Sequence, residues 1–146
     1  MKVLLGIDDS KYADNVARAI IAQLRPQNAE VLVLHVLQPL GLMAPPEMAI
    51  GYAPELADQK QPAHDLVERI AQQFSSADFI AVTAVEAGDV RECILDAAAE
   101  WHADLIVLGS HGLRGIQRFL LGSVAEFVAR HAKCSVQIIR TPAAGN

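Results

Sequence analysis

Cysteine is nearly absent from this chain: Cys93 and Cys134 are the whole supply in 146 residues. They form no C-x-x-C pair, so a thiolate metal centre is not indicated. Positive charge is also short, with 12 Lys and Arg against 17 Asp and Glu. Proteins that hold nucleic acids by their phosphates cluster Lys and Arg, so no nucleic-acid partner is expected. The basic residues of the last third, Arg114, Arg118, Arg130, Lys133 and Arg140, are the material for a local patch. Long hydrophobic runs are missing too. Val3 to Ile7, near the N-terminus, is too short for a signal peptide or a membrane span. The chain is therefore expected to be cytoplasmic, with no membrane partner, and disulfides are rare in that compartment. Its length suits one domain, 1–146, and an apolar share of 52% is ample for a core.

What is present alternates between two patterns. Val3 to Ile7, Glu30 to Leu37 and Asp104 to Leu108 are short apolar runs without helical period, which read as buried strands. Phe79 to Val85 alternates and is less apolar, which suits a strand nearer a sheet edge. Ser135 to Arg140 is the last strand, with Val136 and Ile138 on one face and Gln137 and Ile139 on the other. Between the strands come helical stripes: Ala13, Val16, Ala17, Ile20 and Leu24; then Leu66, Val67, Ile70 and Phe74. Gly88-Asp89 opens a third stripe with Ile94, Ala97, Ala98 and Trp101, and Val124, Phe127, Val128 and His131 make a fourth. From Gln38 to Pro62 five prolines and two glycines break any long element, so 38–62 reads as a variable loop. Its Met43, Met48, Leu40, Leu42 and Ile50 fit a lid, a docking surface or packing onto the domain itself.

Strands joined through helices must run parallel, with helices on both faces. The fold class is thus α/β, a doubly wound five-stranded parallel sheet. Such sheets bind ligands beyond the carboxyl ends of their strands, where the strand order reverses. Asp8 to Ser10, the segment after Leu37, Glu86 to Asp89, and Gly109 onward fall there.

One of these segments is rich in chemistry. Gly109-Ser110-His111-Gly112 follows a buried strand, where glycines let a phosphate approach backbone N–H groups. Gly122-Ser123 then precedes a helix, and Ser123 with Glu126 spells a capping box, S-x-x-E. A helix start favours an anion through its free N–H groups and its dipole. The plain alternative is that the glycines only turn the chain and Ser123 only caps. The segment lacks both the G-K-[ST] ending of a P-loop and the G-x-G-x-x-G spacing.

The pattern Gly109-x2-Gly112-x9-Gly122-Ser123 resembles the ATP-binding signature of the universal stress protein family. The resemblance runs nearly the whole chain, through Asp8-Asp9-Ser10, Leu34-His35-Val36, Gly88-Asp89 and, most specifically, Leu108 to Val124. It implies a Rossmann-like fold of the adenine nucleotide alpha-hydrolase type with strand order 3-2-1-4-5, and a stress-response or signalling role. It implies ATP, or AMP or ADP, as ligand, with Mg as an optional companion. Asp8 would meet the ribose, Gly6 and Ile7 would line the adenine side by their backbone, and the Val36 backbone would contact adenine. Leu108 and Gly109 would line the ribose and first phosphate. Gly112, Gly122, Ser123 and Val124 would hold the phosphates, and Arg114 would neutralise their charge. Asp9 departs from the family, where many members carry Gly; it would either repel phosphate or help hold a metal ion. The resemblance also implies a homodimer pairing through Ser135 to Arg140. No protein partner beyond that is indicated.

The remaining reactive residues have plainer readings. His35 sits in an apolar strand and reads as a core histidine, His111 reads as an exposed loop residue with approach to a phosphate as the alternative, and His64 and His102 read as surface residues. His131 and Cys134 are too few for a metal site. Cys93 has no base beside it in sequence, so it is not a nucleophile. No catalytic residue is expected. A nucleotide-binding module is the leading function; a slow ATPase and a nucleotide-free dimeric adaptor are the alternatives.

Overall fold

The computed structural model describes residues 1–8, 11–38, 53–110 and 121–140, and of residues 53–57 the backbone alone. Strand β1 (Lys2–Ile7) leads to helix α1 (Ala13–Gln23), a short 3-10 turn (Pro26–Asn28) and β2 (Glu30–Leu37). Helix α2 (Ala53–Ser76), β3 (Ile80–Ala87), α3 (Val90–Glu100), β4 (Leu105–Gly109), α4 (Ser123–His131) and β5 (Ser135–Ile139) follow. All neighbouring strands are parallel, in the order β3-β2-β1-β4-β5. That is the expected 3-2-1-4-5 order, with β3 at an edge as its weaker apolar pattern suggested.

The alternation of side chains along each strand divides the core in two. Val3, Leu5 and Ile7 of β1, Val31 and Val33 of β2 and Val107 of β4 point to one face. There they meet Val16 and Ile20 of α1 and Val67, Ile70 and Phe74 of α2. Leu4, Leu32, Leu34, Val36, Ile106 and Leu108 point to the other face and meet Ile94 and Ala98 of α3 and Ala125 and Val128 of α4. Phe74 is fully buried and meets Phe79 edge-on, with ring centroids 5.7 Å apart. Asp14 of α1 accepts hydrogen bonds from Arg69 and Gln73 of α2, which fixes the two helices side by side.

Two expectations need correction. The stretch 38–62 is not loop to its end, because α2 already begins at Ala53. Pro54 sits in the first turn, where its missing N–H has no intrahelical partner to lose. Pro62 lies inside the helix, but on its exposed side, where water can serve the carbonyl it leaves bare. In α4 the buried residues are Ala125 and Val128, while Phe127 and His131 face outward and stack on each other at 4.1 Å.

Gly6 marks a tight place in the sheet. A Cβ there would lie 2.6 Å from Cδ2 of Leu108, closer than real contacts allow. Leu108 is itself buried in a close-packed cluster, so it has little room to withdraw. Gly6→Ala is therefore expected to lose about 1–3 kcal/mol of stability by overpacking. Urea melts check this, and Leu108→Ala in the same chain should recover part of the loss.

Candidate functional site

The order β3-β2-β1-β4-β5 puts a topological switch between β1 and β4. Chain leaving β1 goes to one side, chain leaving β4 to the other, and a crevice opens beyond their carboxyl ends. Leu5 pairs with Val107, so β1 and β4 run out together at Ile7–Asp8 and Gly109–Ser110. Gly6, Val36, Leu108 and Val124 gather on the α3–α4 side of this mouth. Ile7 is different: its side chain belongs to the core under α1 and α2. A backbone role at the mouth is still open to it. Asp8 is half-buried at the tip of β1. The glycine at position 6 admits the Leu108 side chain just below this mouth.

The start of α4 is drawn to this place by the backbone. The Gly122 N–H donates to the Ser110 carbonyl at 2.7 Å, and the Ser110 N–H donates to the Ile139 carbonyl at 2.8 Å. Ser110 is buried, at 4% exposure, which is unusual for a serine beside a glycine turn. It ties the end of β4 both to β5 and to the helix that follows. Reading the glycine spacing alone overlooked it; its only signal was a small polar residue directly after a buried strand.

The capping box does not form. Gly122, not Ser123, is the N-cap of α4, and no side chain caps it. Ser123 is already the first helical residue, one place too far on for its hydroxyl to serve the third N–H. Glu126 turns away and accepts from Arg130 at 3.0 Å. Among the described residues, the first N–H groups of α4 therefore have no side-chain cap, and the exposed Ser123 stands beside them. This suits an anion better than the capping box did. Gly112, Arg114, His111 and Asp9 lie outside the described residues.

On the β2–β3 side the mouth is bounded by the start of α3. The Gly88 N–H donates to the Leu37 carbonyl at 2.9 Å, with φ at +148°, a conformation that favours glycine. Asp89 then caps α3 as expected, accepting from the N–H groups of Arg91 and Glu92 at 3.0 and 3.2 Å. The Arg91 side chain, 3.3 Å from the carboxylate, and the Glu92 N–H hold the Asp89 carboxyl below its usual range. Cys93 is half-buried behind it. Burial, and then the charges of Glu86, Asp96, Asp89 and Glu92, push its thiol up; burial also pushes Cys134 up. Neither is an activated nucleophile. His35 is buried with its Nδ1 hydrogen-bonded to the Ile7 carbonyl at 2.9 Å, a satisfied core histidine as its strand position suggested. His64 and His102 are exposed. Among the described residues no cluster of three His, Cys, Asp or Glu could hold a metal ion. Among them, too, no helix is long and apolar enough to cross a membrane.

Residues 1–140 match the universal stress protein family. The chain belongs to that family. Universal stress protein Sll1388 of Synechocystis sp. is 31% identical over 95% of this chain and 97% of its own length. Among solved structures, universal stress protein UspA from Lactobacillus plantarum superposes with a TM-score of 0.84 at 24% identity, over 96% of this chain and 97% of that one. A universal stress protein in complex with cAMP is similar at TM-score 0.62 and 26% identity, covering 97% of this chain and 98% of that one. The Archaeoglobus fulgidus universal stress protein in complex with dAMP is similar at TM-score 0.61 and 25% identity, covering 95% and 97%.

The Asp89 cap makes a prediction about acid. Its carboxyl titrates lower in the folded chain than the unfolded value of 3.8, so its contribution is complete above that pH and disappears as pH falls through the folded value. Asp89→Ala should cost about 1 kcal/mol at pH 7, the usual worth of an N-cap. Denaturant melts of both proteins should converge as pH falls through the folded value, where the wild-type cap becomes protonated.

Proposed function

We propose that this universal stress protein is a binding module for adenine nucleotides, taking ATP, AMP or ADP in the crevice beyond β1 and β4. The observation that carries the reading is the Gly122–Ser110 hydrogen bond, which brings an uncapped helix start to the topological switch. The complexes of similar proteins with cAMP and dAMP support the choice of an adenine nucleotide. In this reading the N–H groups at Gly122, Ser123 and Val124, with the Ser123 hydroxyl, receive the phosphates. Gly112 and Arg114 join them from the segment between. Leu108 and Gly109 lie against ribose and the first phosphate, and Asp8 reaches the ribose hydroxyls. The backbones at Gly6, Ile7 and Val36 line the adenine. A Mg ion, where one accompanies ATP, would be held chiefly by the phosphates, with Asp8 as the near carboxylate.

Binding rather than turnover is the proposed role, in stress response or signalling in the cytoplasm. Isothermal calorimetry tests it. The wild type should release heat with ATP, and Gly122→Val with Ser123→Ala should weaken binding at least tenfold, about 1.4 kcal/mol. A wild type that shows no binding at millimolar ATP, AMP and ADP would overturn the reading.

The family resemblance also proposes a homodimer through Ser135 to Arg140. In support, β5 ends the sheet beside β4, and Val136 to Ile139 are only half-buried. Such an edge invites pairing with a second copy, and a lysine on it discourages pairing. Sedimentation of the wild type at micromolar concentration should give twice the monomer mass, and Ile138→Lys should give the monomer. A monomeric wild type would rule this dimer out.

A further inference from the structure

Arg91 is a cation of α3 that stands between the two helix starts at the crevice. Ile94 of the same helix reaches the mouth, its Cδ1 3.6 Å from where a Cβ on Gly6 would lie. Arg91 lies one turn before Ile94, and α3 begins at the carboxyl end of β3, so Arg91 is on the outer side of that contact. Its Nη2 is 3.3 Å from Oδ2 of Asp89, and its Cζ is 4.9 Å from the centre of the Phe127 ring of α4.

The Phe127 ring tells which way the guanidinium faces. His131 stacks on that ring with centroids 4.1 Å apart. One face of the ring cannot hold both groups, so Arg91 takes the face opposite His131. Ser123, Phe127 and His131 are spaced by four and stand in one row along α4. His131 comes after Phe127 in that row, so the guanidinium lies on the side of Ser123. Ser123 is about 6 Å from Phe127 along the helix axis.

The present contacts of Arg91 are weak ones. Its side chain is 45% exposed, and exposed ion pairs and exposed cation–π contacts each contribute little. Phosphate oxygens fit the guanidinium fork in pairs and make a stronger partner. Two other cations are engaged elsewhere: Arg130 donates to Glu126 at 3.0 Å, and Lys11 stands over Tyr12, before α1. We infer that Arg91 is a phosphate-contacting residue, drawn from Asp89 to the phosphates of a nucleotide at the start of α4. The inference rests on the proposed binding of adenine nucleotide and adds to it a cation supplied by α3.

The plain alternative is that Arg91 only staples α3 to α4. A staple affects stability but not the charge that a ligand meets. Asp89 separates the two, because Asp89→Asn keeps an N-cap on α3 while releasing the guanidinium.

Calorimetry with ATP at several salt concentrations tests the inference. Arg91→Met leaves an apolar side chain against Phe127 and removes the charge. It should bind ATP about tenfold more weakly, the worth of a charge-assisted hydrogen bond, and lose less affinity than the wild type on adding salt. Asp89→Asn should tighten ATP about 2- to 5-fold, the worth of the exposed ion pair it releases. That gain should vanish when Arg91→Met is also present. Thermal melts of the same samples register any loss of the staple. If Arg91→Met binds ATP within about twofold of the wild type, or responds to salt as the wild type does, the inference is overturned and the nucleotide reading stands. An Asp89→Asn gain that persists in Arg91→Met marks the mere removal of a negative charge, and overturns it too. A wild type that binds no nucleotide overturns both.

Discussion

The contact of Leu108 with the bare backbone of Gly6 is the constraint around which the rest of the molecule is arranged. Strands β1 and β4 meet there, and they are the two strands from which the chain departs in opposite directions. Their close approach buries Leu108 beneath α3 and α4 and makes the sheet continuous across the switch. One residue further along, β1 ends at Ile7 and β4 at Gly109, and the chain turns away from both.

The two faces of the sheet divide the labour. The face under α1 and α2 carries the larger apolar cluster, including Phe74 and Phe79, and the Asp14–Arg69 pair joins its helices. The face under α3 and α4 has the smaller cluster, but both helix starts that border the crevice. These two starts are treated oppositely. Asp89 caps α3 and satisfies its first N–H groups, while α4 begins at a glycine with no side-chain cap. A negative charge has reason to approach only the second.

Much of this was legible in the residues, for reasons that can be named. Strands buried on both faces show as unbroken apolar runs, and Glu30–Leu37 stands where its run placed it. Asp89 announced α3 because capping is a local chemistry. The strand order came from family resemblance, since periodicity says nothing about neighbours in space. Elsewhere the signals misled. Pro54 and Pro62 argued against a helix that tolerates the first in its opening turn and the second on its wet side. The S-x-x-E pattern at Ser123 was shifted by one residue, a distance that sequence spacing does not resolve but hydrogen bonding does. Ala125 was passed over because a small side chain adds little to an apolar stripe, and Phe127 was included because a large one adds much. The partners were not legible: Ser110 and Gly122 meet through main-chain groups, which every residue shares, and the buried His35 finds a main-chain carbonyl 28 residues away.

The Ser110–Gly122 bond also has a consequence for how the parts around the mouth share their fate. It joins the end of β4 to the start of α4, while the N–H of the same serine reaches Ile139 of β5. Two strands and a helix are thus yoked through the main chain of one residue, and to disturb that residue is to loosen all three at once.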